Sequence, residues 1–148
     1  MAYRNSEGYS DPTAGEAMGN IMREYRAQRR EAWQRQYELR SRTRVYVVSR
    51  YAGNVERNVA AAVRCCQYVI RKGMMPVASH LLYPQMLRDD IPAEREIGTA
   101  FGLALLALCD EVWVFRDHTG LSPGMEAEVN EARRLGKPVR FLDLEVAS

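Results

Sequence analysis

The chain has 148 residues, 47% of them apolar and 27% charged, which suits one globular domain with a short appendage and a core that needs neither disulfide nor metal. No apolar run approaches the ~18–20 residues of a membrane helix, and the opening MAYRNSEGYSDPTAGE lacks the apolar stretch of a secretory leader. Three cysteines, adjacent Cys65 and Cys66 and distant Cys109, point to reduced thiols in a cytoplasmic setting and exclude a zinc knuckle, while a net charge of +2 is too small for a dedicated nucleic-acid binder.

Charge is unevenly placed: residues 1–44 hold nine Arg and six acids, a balance of +3, and the remainder sums to −1. Residues 1–14 are polar and read as a flexible N-terminus. Asp11-Pro12-Thr13 resembles a helix start, and the Arg-, Glu-, Gln- and Ala-rich run from about Glu16 to Arg40 reads as one helix, an appendage over residues 15–42. Its interrupted stripe of Met18, Ile21, Met22, Tyr25, Ala32, Trp33 and Tyr37 is expected to pack on the domain or on a second subunit. An Arg-rich arm for nucleic acid is the sharper reading, but Glu24, Glu31 and Glu38 recur every seven residues and dilute its field.

From residue 43 to 148 the pattern alternates. Arg44–Ser49 (RVYVVS) is a continuous β-branched and aromatic run, as a strand buried on both faces requires. Asn54–Lys72 has helical spacing through Val55, Val59, Val63, Cys66 and Ile70, closed by Gly73. Met75–Ser79 is predicted as the second strand, Tyr83–Asp90 as a helical turn, and Pro92 as the opening of a helix through Ile97, Phe101, Leu105 and Leu108. Glu111–Phe115 is the third strand, Gly124–Leu135 a helix, and Val139–Leu142 the fourth strand. Repeated strand-helix-strand units predict an α/β fold: a small Rossmann-like, flavodoxin-like parallel sheet of about four to five strands with helices on both faces, plus the N-terminal helix.

In such a sheet a ligand sits beyond the carboxyl ends of the strands. That places Ser49-Arg50-Tyr51-Ala52-Gly53-Asn54, Ser79-His80 and the stretch from Arg116 to Glu128 around one crevice, and these loops are rich in polar groups. Ser49 and Arg50 can present a hydroxyl and a guanidinium to a phosphate. Gly53 and Asn54 serve equally to turn the chain and cap a helix, His80 to bind a loop carbonyl, and Asp117, His118 and Ser122 to shape a turn. With two histidines in the chain and no ligand spacing, no metal or other cofactor is expected. There is no G-x-G-x-x-G and no Walker lysine, so a standard dinucleotide or triphosphate site is unsupported. Glu126 suits the helix dipole; Glu128 has a further reading.

Ser122-Pro123-Gly124-Met125-Glu126-Ala127-Glu128, followed by Gly136-Lys137-Pro138-Val139, resembles the nucleoside 2-deoxyribosyltransferase family, in which a Gly-containing loop and a helix bearing a catalytic Glu precede a G-K-P strand entry. Cys109-Asp110-Glu111-Val112-Trp113-Val114-Phe115 is similar to that family's third strand. Within it, Ser122/Gly124/Glu128 and Ser49-Arg50 before Gly53 resemble the S-x-G-x-x-x-E and S-x-R-G motifs of the branch that hydrolyses nucleoside 5′-monophosphates. A strand ending S-R-Y-x-G, the segment Pro76–Gln85 and C-D-E-x-W-V-F are similar to a group of phage and bacterial proteins in the same superfamily. The resemblance covers about residues 44–143. It implies Glu128 as the group that attacks or stabilises the anomeric carbon, Ser49, Arg50 and Ser122 as the hold on a phosphate, and pockets built in a homo-oligomer. Tyr51, Gly53, Asn54, His80, Asp117, Gly124 and Met125 of the crevice loops complete the candidate site for a nucleotide or nucleoside.

One departure is plain. The family's acid, an Asp on the helix before the third strand, falls on Gly102 when counted back from Asp110, and no carboxylate follows Glu96 in that helix. Protonation of the leaving base supplies about 10²–10⁴-fold. The resemblance therefore implies an N-glycosidase or deoxyribosyltransferase acting on a nucleoside 5′-monophosphate or related nucleotide. The alternative is a non-catalytic binder of a nucleotide or ADP-ribose-like signal, a sensor or a phage sponge.

Overall fold

The computed structural model describes residues 4, 6–8 and 11–148; residues 1–3, 5, 9 and 10 of the stretch expected to be flexible lie outside the described residues. The chain divides into two compact units, residues 1–41 and 42–148. The first holds helix α1 (Pro12–Arg40), which begins before the boundary at 15 because Asp11 caps it: its carboxylate accepts from the Ala14 N–H at 3.0 Å, with Pro12 in the first turn. No α1 residue is buried. Along its surface Trp33 and Tyr37 stack with ring centres 5.5 Å apart. Among the described residues no helix is long and apolar enough to cross a membrane.

The second unit runs β1 (Arg44–Val48), α2 (Val55–Arg71), β2 (Met75–Val77), α3 (Pro92–Leu108), β3 (Glu111–Arg116), α4 (Pro123–Arg134) and β4 (Val139–Asp143). Short 3₁₀ turns occupy Ser79–Leu81, Tyr83–Gln85 and Leu144–Ala147. The four strands form one parallel sheet in the order β2-β1-β3-β4. Chain order therefore reverses between β1 and β3, the switch point at which an open α/β sheet offers its crevice.

β1 and β3 read as continuous apolar runs because both of their faces are covered. On one face Tyr46, Val48, Val112 and Val114 pack with Leu106 and Cys109 at the end of α3 and with Met125, Val129 and Ala132 of α4. On the other, Val45, Val47, Trp113 and Phe115 meet Cys65 and Val69 of α2 and Ala147 of the terminal turn. Each fully buried valine of β1 contributes roughly 1.5–3 kcal/mol. Glycines in the left-handed region, Gly73 (φ 81°) and Gly136 (φ 69°), end α2 and α4 and turn the chain toward β2 and β4. At the amino ends of the central strands the Asp110 carboxylate accepts from the Arg44 N–H at 2.7 Å, which holds their register. β2 is shorter than the predicted Met75–Ser79, because at Ser79 the chain leaves the extended conformation for a 3₁₀ turn.

Candidate active site

At the carboxyl edge of the sheet, two helix starts and three loops converge for local reasons. Gly53 adopts φ 101°, a conformation that favours glycine, and lets the chain turn sharply from β1 into α2. The Asn54 side chain then caps α2 by accepting from the Arg57 N–H at 3.2 Å. Ser122 caps α4 in the same way, accepting from the Met125 N–H at 3.2 Å. That cap sets the first turns of α4, and the helix period then turns Glu128 inward beside Met125 and Val129.

Glu128 meets a phenol. Tyr46, fully buried on β1, donates to Glu128 Oε1 at 2.7 Å, and no other hydrogen bond reaches this carboxylate among the described residues. Burial pushes the Glu128 carboxyl up to about 7, opposed in part by the Tyr46 hydrogen bond. The same burial raises the Tyr46 phenol well above its ordinary range, so it remains a proton donor at every physiological pH. On its far side the phenol oxygen lies 2.7 Å from the Ser79 hydroxyl. α3 closes the cluster with Gly102, where an added Cβ would stand 3.0 Å from Ser79 Oγ and 3.5 Å from the Tyr46 hydroxyl.

Two further polar groups border the crevice. Ser49 Oγ lies 3.0 Å from His80 Nε2. Burial pushes the His80 imidazole down to about 4, so the ring is neutral near pH 7. Arg50 reaches across the switch point: its Nε donates to Asp117 Oδ2 at 3.2 Å, and its Nη2 donates to Thr119 Oγ1 at 2.8 Å and Gly120 O at 3.2 Å. Asp117 also accepts from the Thr119 hydroxyl and N–H, and these bonds, the hydroxyl first, hold its carboxyl below the usual range. A small cleft lined by Ser49, Arg50, Asn58, Phe115, Asp117 and Met125 opens beside this clasp.

The family model described as a domain of unknown function (DUF7768) matches residues 43–142. The chain belongs to the DUF7768 family. No curated protein matches it. The DUF7768 domain is similar in fold to a 2-deoxyribosyltransferase from the psychrotolerant bacterium Bacillus psychrosaccharolyticus, described as a biocatalyst for the synthesis of antiviral and antitumoral nucleosides. The TM-score is 0.57 at 14% identity, over 67% of this chain and 71% of that one. A second similar structure is the 2-deoxyribosyltransferase of Leishmania mexicana, with a TM-score of 0.52 at 13% identity over 68% of this chain and 64% of that one. At these identities the likeness is one of fold, and the α/β architecture is that of the deoxyribosyltransferases.

Within the DUF7768 domain the sequence-predicted residues divide into separate sets. Ser49 and His80 pair, with the Tyr51 ring 6.4 Å from that of His80. Arg50 and Asp117 form an ion pair, so the guanidinium expected to face a phosphate has its charge balanced by a carboxylate. Asn54, Ser122 and Gly53 serve the backbone, Met125 is a core side chain that borders the cleft, and Gly124 sits in the first turn of α4. Glu128, one turn after Met125 on α4, instead accepts its hydrogen bond from Tyr46, which in turn meets Ser79. Tyr46 carried no separate signal in RVYVVS, since an aromatic residue inside a core strand reads as packing. Its role is visible only once β1 faces α4. Among the described residues no three His, Cys, Asp or Glu side chains converge as a metal set.

Proposed function

We propose that the DUF7768 domain cleaves the base–sugar bond of a nucleoside 5′-monophosphate or related nucleotide, as an N-glycosidase or deoxyribosyltransferase with Glu128 as nucleophile. The observation that carries this reading is the half-buried Glu128 carboxylate, held by the Tyr46 phenol at the carboxyl end of the sheet beside the switch point. The deoxyribosyltransferase fold supports it. In the ionised state Glu128 forms a C1′–O bond as the C1′–N bond breaks. The bond pair leaves with the base, which takes a proton from solvent or an acid, and water or a second base then releases the glycosyl group from Glu128. Tyr46 orients one carboxylate oxygen and tempers the charge left by burial. Ser49 and His80, both uncharged near neutral pH, supply hydrogen bonds to sugar or base. Assembly into a homo-oligomer belongs to the same proposal, and sedimentation of the purified chain tests it.

Gly102 favours a second reading. A carboxylate-bearing side chain at this position meets Ser79 at 3.0 Å from its first carbon, so the α3 face is occupied by Tyr46 and Ser79 instead of an acid. A ligand-binding domain, a sensor or sponge for a nucleotide-derived signal, needs no such acid. The test is incubation of the purified protein with ribo- and deoxyribonucleoside monophosphates and ADP-ribose compounds, followed by chromatography for free base. Release by the wild type, lowered at least about 10³-fold in Glu128→Gln, supports the glycosidase. A ligand bound but recovered intact overturns it in favour of the binder.

A further inference from the structure

Tyr46 has one hydroxyl proton. It is given to Glu128 Oε1 at 2.7 Å, so in the 2.7 Å contact with Ser79 the serine is the donor and the phenol oxygen the acceptor. The three groups therefore form a directed chain, Ser79 to Tyr46 to Glu128, with Ser79 and Tyr46 both buried. A phenol that accepts a hydrogen bond is the stronger donor, because polarisation accumulates along such a chain.

α3 keeps the place of Ser79 open. Gly102 lies within the regular helix Pro92–Leu108 and its φ is not positive, so no backbone conformation requires glycine there. Glycine inside a helix costs about 1 kcal/mol relative to alanine. What the position gains is space: a Cβ would lie 3.0 Å from Ser79 Oγ, 3.4 Å from its Cβ and 3.5 Å from the Tyr46 hydroxyl. Other ionisable groups around the cluster are Cys109, which shares its core just past α3, and the guanidiniums of Arg116 and Arg133 over the Phe141 ring. His80, next to Ser79 in the chain, is bonded to Ser49 instead.

We propose that Ser79 is a positioning residue for Glu128, acting through the Tyr46 phenol, and that Gly102 is the residue that keeps room for its hydroxyl. Only the kinetic arm of the test rests on Glu128 being the reacting carboxylate. The first arm is a ¹³C NMR titration of the Glu128 carboxyl, assigned by its absence in Glu128→Gln, in the full-length protein. Ser79→Ala raises the midpoint by about half a pH unit, a threefold change in ionisation, and Tyr46→Phe by about one unit, or tenfold. Gly102→Ala, which leaves the hydroxyl but displaces it, shifts the midpoint as Ser79→Ala does and carries the test if the serine variant fails to fold. Added to Tyr46→Phe, Ser79→Ala produces no further shift, a dependence that a packing role does not predict. A midpoint unmoved by Ser79→Ala, or an equal shift with and without Tyr46, overturns the proposal. In the kinetic arm the acid limb of kcat against pH moves by the same factor while KM stays. No base release from the wild type refutes the glycosidase reading and leaves the titration to decide the role of Ser79.

Discussion

Replacing Glu128 by Gln gives a quantitative test of how deeply the carboxylate is held. The unfolded chain releases this proton near pH 4.5 and the folded chain near pH 7. Between those values the folded state binds the extra proton, so the wild type loses stability as pH rises, and above about pH 7 the whole cost of the buried charge is present. A displacement of about 2.5 units at 1.36 kcal/mol each comes to about 3 kcal/mol. Gln has the shape of the neutral carboxyl, offers Tyr46 the same acceptor and does not ionise. Wild type and Glu128→Gln therefore have matching stability at pH 4.5, diverge through pH 6, and differ by about 3 kcal/mol at pH 8 with the mutant more stable. Urea melts at each pH, followed by the fluorescence of buried Trp113, measure the gap. With a slope of about 2 kcal/mol/M it appears as a midpoint difference of about 1.5 M. Equal midpoints at pH 8 would refute the claim that the fold holds this carboxylate against its ionisation.

His80 titrates in the opposite sense. Its folded value near 4 lies below the ordinary 6.5, so stability is complete above pH 6.5 and falls as pH drops toward 4. Between pH 4.5 and 6.5 this slope opposes that of Glu128 and flattens the wild-type profile. His80→Gln removes the acid-side loss and leaves the Glu128 slope unopposed, so its melts at pH 5 and pH 7 differ more than those of the wild type, with the lower stability at pH 7. Arg50→Ala unfastens the loop after β3 from the loop after β1. Because the Arg50–Asp117 pair is about a quarter exposed at each partner, the expected cost is about 1 kcal/mol, read as roughly fivefold faster amide exchange over residues 117–121. Unchanged exchange would show that the clasp holds nothing.

The parts of the fold legible in sequence are those in which a local pattern and the tertiary demand coincide. RVYVVS and EVWVF are strands because burial on two faces leaves no polar alternation, and Asn54, Gly73, Pro92 and Gly136 punctuate helices by local means, a side-chain cap at Asn54 and backbone conformation at the others. The terminal turn Leu144–Ala147 is too short to show a period, yet Ala147 is buried against the α2 side of the sheet. Glu128 could be singled out by the resemblance of Ser122–Glu128 to a catalytic motif. Its partners could not, since Tyr46 and Ser79 lie 82 and 49 residues away and meet it only through sheet order. Arg50 illustrates the reverse limit. A lone guanidinium at a strand end suggests an anion, and only the folded chain shows that Asp117, 67 residues on, supplies one.

The placement of β1 between β2 and β3 has a consequence for the order in which the chain can fold during synthesis. β1 pairs on one side with β2, Val45 against Pro76, and on the other with β3, Val45 against Glu111. The first contact closes a loop of 31 residues and the second one of 66. A nascent chain that has emerged only through α2 and β2 can form the first pairing, but it leaves the other edge of its most apolar strand bare until Glu111–Arg116 clears the ribosome. At typical elongation rates that interval lasts seconds, long compared with helix or turn formation. The stretch Val45–Val48 is thus the segment on which a chaperone, or a neighbouring nascent chain, has its longest opportunity to act.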